Sequence, residues 1–258
     1  IGIDLILYLS KSKFWQNMQS SLICIVDINL LESRSKILNL NINFIEIQSV
    51  KAAKKNKIGT VQFIQVGKCK DLTPSILNPK NSKYILDNLN FGIAQSLKNK
   101  KVGLVTGPIQ KSNVISGGLK SFQGHTEWIR KKTQSNCVVM LLSSKKIKVA
   151  LATTHIPLAE VPQNIKKSKL VEIIKILHSS MKAKFKIKNP VITVLGLNPH
   201  AGEDGKMGTE EIKIINPAVQ ICRDIGINAS YAISADTAFN AKKLKQTDVY
   251  LAMYHDQA

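Results

Sequence analysis

Aromatic side chains are scarce in this chain, at 5% of residues, and acids are outnumbered, with 17 Asp and Glu against 37 Lys and Arg. Few aromatics leave few platforms on which unpaired bases could stack, so a net charge of +20 does not by itself make a nucleic-acid surface. The lysines are scattered through every segment among abundant Ile and Asn, a compositional bias on solvated faces more than a phosphate-binding stripe. No nucleic-acid partner is expected, although a positive field would still draw in a small phosphorylated molecule.

Long hydrophobic runs are also missing. Stretches such as Val138 to Leu142 and Val191 to Leu197 fall far short of the ~20 residues that span a bilayer. A soluble protein without a membrane partner is expected. No basic, apolar and small-residue series opens the chain as a secretory signal would. The four cysteines, Cys24, Cys69, Cys137 and Cys222, lie far apart with no C-x-x-C pair. That pattern fits neither a zinc knuckle nor a disulfide-stapled domain and implies reduced thiols in a cytoplasm. A G-x-G-x-x-G turn after a strand is absent too, which leaves an ordinary dinucleotide-binding Rossmann turn unsupported.

What is present is an alternating pattern. With 258 residues and 44% hydrophobic content, the chain can bury a sizeable core and sits near the length at which one core divides into two lobes. Short β-branched runs alternate with longer amphipathic stretches, the signature of an α/β protein. The runs 21–27, 101–106, 148–153, 190–195 and 248–253 predict strands. Helices are predicted over 81–98, 165–182 and 210–225, the last opening at Thr209 with Glu210 and Glu211 at the positive end of its dipole.

Four of the five histidines, His125, His155, His200 and His255, follow a predicted strand or lie in a Gly-rich or acid-rich loop, while His178 falls in a helix. Loops after strands are where open α/β sheets place ligands. His155, His200 and His255 are 45 and 55 residues apart, so only tertiary folding could gather them. Three neutral imidazoles with open positions would suit zinc, cobalt or another first-row ion more than calcium. Asp236 and Asp256 are candidate carboxylates to orient those rings or bind substrate. The richest stretch is Gly196 to Glu211, in which four glycines surround a Pro-His pair and lead into an acidic helix start.

In its motifs Thr106-Gly-Pro-Ile-Gln-Lys111, Gly124-His-Thr-Glu127, Thr153-Thr-His-Ile-Pro157, Asn198-Pro-His-Ala-Gly-Glu203, Ala235-Asp-Thr237 and Tyr254-His-Asp-Gln257, the chain resembles the 4-hydroxythreonine-4-phosphate dehydrogenase family. The match runs in order over nearly the whole chain. It implies an isocitrate-dehydrogenase-like fold of two α/β lobes around a cleft, with 1–118 and a returning 249–258 in the first lobe and 119–248 in the second. It also implies His155, His200 and His255 as ligands of a divalent metal (zinc, cobalt or magnesium), in a site assembled across a homodimer interface. His125 and Thr126 would bind substrate, and Lys111 would be a candidate proton-transfer group, with Asp236 and Asp256 completing the catalytic set. Hydride would pass to NAD or NADP, and the oxidised acid would lose CO2, within pyridoxine biosynthesis. Family members extend beyond both ends of this sequence, so a fragment is expected. A sister dehydrogenase of another hydroxy acid and a relic without dinucleotide binding stand as alternatives.

Overall fold

Three short runs, Ile23–Ile25 (β1), Asn43–Glu46 (β2) and Thr60–Ile64 (β3), pair wholly in parallel, in the order β1-β3-β2. In the computed structural model, which describes residues 2–71, 73 and 75–257, they form the sheet of one unit, 1–135; a second unit comprises 136–258. The helices of the first unit are Gly2–Ser10 (α1), Lys13–Asn17 (α2), Ile28–Ile37 (α3), Ser82–Lys98 (α4), Lys111–Ser116 (α5) and His125–Thr133 (α6). α3 starts where it does because Asp27, fully buried at its N-cap, accepts the Asn29 N–H. A parallel sheet needs cover on its faces. Leu7, Trp15 and Leu31 supply it here, buried together with Val61 and Phe63 of β3.

Leu86, Leu89, Ile93, Val114 and Phe122 form a second apolar cluster, against which Leu104, Ile109 and Trp128 pack. This cluster explains a departure from the sequence reading. The strand predicted over 101–106 is not a strand: Val102 and Leu104 are half-buried and Leu104 packs beside α4, but the Val102 N–H turns back to Asn99 O and Val105 is 85% exposed. The same apolar alternation that would suit a strand here lays an irregular segment beside a helix.

The second unit has one antiparallel strand and three parallel ones. Met140–Ser143 (β4), Lys148–Leu151 (β5), Ile192–Val194 (β6) and Val249–Ala252 (β7) lie in the order β4-β5-β7-β6. Its helices are Val161–Asn164 (α7), Lys167–Phe185 (α8), Asn216–Asp224 (α9), Ala235–Ala238 (α10) and Ala241–Gln246 (α11). On α8, Leu170, Ile173, Ile174, Leu177 and Met181 make one buried stripe at helical spacing. Each such side chain contributes roughly 1.5–3 kcal/mol of burial. The stripe packs with α9 and the strands into the larger core.

The structure places the predicted unit boundary elsewhere. Residues 119–135 belong with the first unit, where α6 packs on α4. Residues 249–258 belong to the second, because all four residues of β7 are buried between β5 and β6. The helix predicted over 210–225 is also divided. A π-helical turn, Glu211–Ile215, precedes α9, whose second residue, Pro217, has no N–H to give an α-helical ladder. Strands β2, β3 and β4 escaped the sequence reading.

Candidate active site at the carboxyl edge of the second sheet

β5, β7 and β6 run in parallel side by side, so their carboxyl ends share one edge. His155 follows β5 by four residues, His255 follows β7 by three, and His200 follows β6 by six. The central strand arrives last in the chain, so the strand order reverses at this edge, the arrangement that opens a ligand crevice in α/β sheets. All three imidazoles are exposed. His155 and His255 face each other with ring centroids 5.5 Å apart. The Nδ1 of His255 lies 2.9 Å from Asp256 Oδ1; an N–H donated there leaves the Nε2 lone pair free for an ion. Among the described residues no cluster of three His, Cys, Asp or Glu side chains able to hold an ion is gathered. The imidazoles brought together are those of His155 and His255, two nitrogen donors of the kind a divalent ion takes, while His200 stands on the same strand edge without joining that pair.

His200 sits in an unusual turn. Residues His200, Ala201, Gly202, Glu203 and Asp204 all have positive φ, from 43° to 83°. Each non-glycine residue held there costs on the order of 1 kcal/mol, so the surroundings must enforce the shape. Glu211, 2% exposed, does much of this. Its Oε1 accepts the N–H groups of Leu197 (2.7 Å) and Asn198 (2.9 Å), and its Oε2 accepts the Asn198 side-chain amide (2.9 Å). That amide also donates to Glu210 Oε2, which holds the Glu210 carboxyl below its ordinary range. The two acidic residues thus anchor the loop, where the sequence suggested an interaction with the helix dipole. Gly196 and Gly202 permit this close wrapping, since a Cβ on either would come within 3.0 Å of Glu211 oxygens.

α10 packs against the turn. Its exposed Asp236 is held below the usual carboxylate range, chiefly by the Ser234 hydroxyl and to a lesser degree by the charge of His200. Asp236 is therefore an electrostatic neighbour of His200, and Asp256 a hydrogen-bond partner of His255.

The remaining candidates lie in the first unit. Lys111 is the exposed first residue of α5. His125 opens α6 directly after Gly124, whose φ of 152° only glycine adopts readily, and Thr126 follows in the same turn. His125 Nε2 is buried without a protein hydrogen-bond partner. A buried polar atom left unpaired costs ~1–3 kcal/mol, which makes it a candidate contact for a bound molecule. Sequence reasoning missed the anchoring roles of Asn198 and Glu211 and gave Gln257 no role, although all three lie in its motifs.

The family model described as pyridoxal phosphate biosynthetic protein PdxA matches residues 17–258. The chain belongs to this family. The 4-hydroxythreonine-4-phosphate dehydrogenase of Pseudoalteromonas translucida (strain TAC 125) is 39% identical over 257 residues, covering 100% of this chain and 76% of that protein. The enzyme of the same name from Yersinia enterocolitica is 40% identical with the same coverage. Among solved structures, 4-hydroxythreonine-4-phosphate dehydrogenase from Klebsiella pneumoniae superposes with a TM-score of 0.89 at 26% identity, covering 100% of this chain and 78% of that one.

Proposed function

We propose that this protein is the NAD- or NADP-dependent dehydrogenase that oxidises 4-phosphooxy-L-threonine and releases CO2 to give 3-amino-2-oxopropyl phosphate, a cytoplasmic step of pyridoxal phosphate biosynthesis. The observation that carries this reading is the placing of His155, His200 and His255 after three adjacent parallel strands in a chain of this family. His155 and His255 would hold a zinc, cobalt or magnesium ion, with His200 as third ligand. Such an ion, when bound, acidifies a substrate hydroxyl and stabilises the charge that develops as a neighbouring carboxylate leaves.

The chain's own groups account for the rest. Asp256 accepts from His255 Nδ1, which would leave Nε2 as the nitrogen available to an ion. Asp236, whose carboxyl is held below the usual range chiefly by the Ser234 hydroxyl, would stand as a carboxylate beside His200. His125 Nε2 and the Thr126 hydroxyl would hydrogen-bond substrate oxygens, and Lys111 would take the hydroxyl proton as hydride leaves the same carbon for the dinucleotide. The resulting β-keto acid then breaks its carbon–carboxylate bond, and the carbon left behind takes up a proton. As the family resemblance implies, the active form is a homodimer with each ion shared at the subunit boundary. Incubation with 4-phosphooxy-L-threonine, NAD and a divalent ion should yield NADH and CO2 in equal amounts, with activity lost on chelation and regained on adding the ion back. NADH formed at an undiminished rate in the presence of chelator would refute the metal-dependent reading.

A further inference from the structure

The ladder between β6 and β7 ends abruptly at the edge that carries the histidines. Leu195 N–H still donates to Leu251 O at 2.9 Å, as a parallel pair should. One step on, the backbones separate: Leu197 N–H is taken by Glu211, and Met253 O receives the N–H and hydroxyl of Thr153 from the other side. Into this gap reaches the side chain of Gln257. Its Oε1 accepts the Met253 N–H at 2.7 Å, and its Nε2 donates to Gly196 O at 2.6 Å. One carboxamide thus stands in for the missing rung, joining backbone positions two residues before His255 and four before His200.

We propose that Gln257 is a positioning residue, a side-chain rung that fixes the spacing of the His255 loop from the left-handed turn carrying His200. Its donor and acceptor must both be present. A carboxylate would still accept from Met253 N–H but would set its second oxygen against the Gly196 carbonyl, and a thioether of similar length would make neither bond. The consequence for an ion rests on the reading that these imidazoles are ligands; the positioning itself does not.

The test compares Gln257→Met and Gln257→Glu with the parent chain. In ion-free protein, the imidazole NMR resonances of His200 and His255 should move in both variants, while those of His125 and His178 stay in place and report an intact fold. Zinc affinity, measured by competition with a chromophoric chelator, should fall ~10-fold or more, the scale on which groups behind a ligand act. Unmoved His200 and His255 resonances in Gln257→Met would overturn the proposal. If those resonances move but the parent chain binds no zinc, the positioning role stands and the ligand reading falls.

Discussion

At the residue scale, the His200 turn depends on contacts that leave no spare volume. A Cβ on Gly196 would lie 2.8 Å from Ala201 Cα and 3.0 Å from Glu211 Oε1, and the first of these is backbone that cannot swing aside. Gly196→Ala should therefore cost about 1–3 kcal/mol, the usual range for overpacking, seen as a lower denaturant midpoint with an unchanged slope. A midpoint equal to that of the parent would show that the turn is looser than these contacts require. Burial pushes the Cys24 thiol up to about 12 and the Cys69 thiol up to about 11. His155, His200 and His255 could be recognised in the sequence because each follows a β-branched run within six residues. Glu211 could not, since its bonds span 13 and 14 residues around a turn of rare backbone shape.

Among the elements, α1 and α3 are joined by a two-pronged ion pair, Arg34 Nε and Nη2 donating to the Asp4 carboxylate at 2.8 and 2.9 Å. The Arg34 guanidinium holds Asp4 below the ordinary carboxylate range. A depressed folded-state value means stability that is present above the unfolded pKa of ~3.9 and is lost as pH falls through the folded value. Asp4→Asn should accordingly destabilise the protein by about 0.5–1 kcal/mol at neutral pH, a modest amount because the pair is partly solvated. The difference from the parent should shrink as acid protonates Asp4; urea melts at a series of pH values would check it, and a constant difference would contradict it. Helices α4 and α8 were legible because their apolar periodicity continues for several turns. β2, with one half-buried residue among exposed ones, gave almost no signal, and the 101–106 run gave a false one because apolar alternation does not say whether a strand or a helix lies beside it.

For the whole molecule, the sequence indicated an α/β fold, and both units have one. The boundary between units was not legible, because β7 reads as any buried strand and nothing local says that it inserts between β5 and β6. That insertion is what sets three histidine loops along one edge. Whether His155, His200 and His255 together hold one divalent ion, as proposed, is read from the metal content and affinity of purified protein against the three single His→Ala variants. The parent should carry about one ion per subunit, and binding should weaken by ~10-fold or more in each variant, as befits residues at least as influential as the groups behind them. Unchanged metal content in all three variants would contradict it.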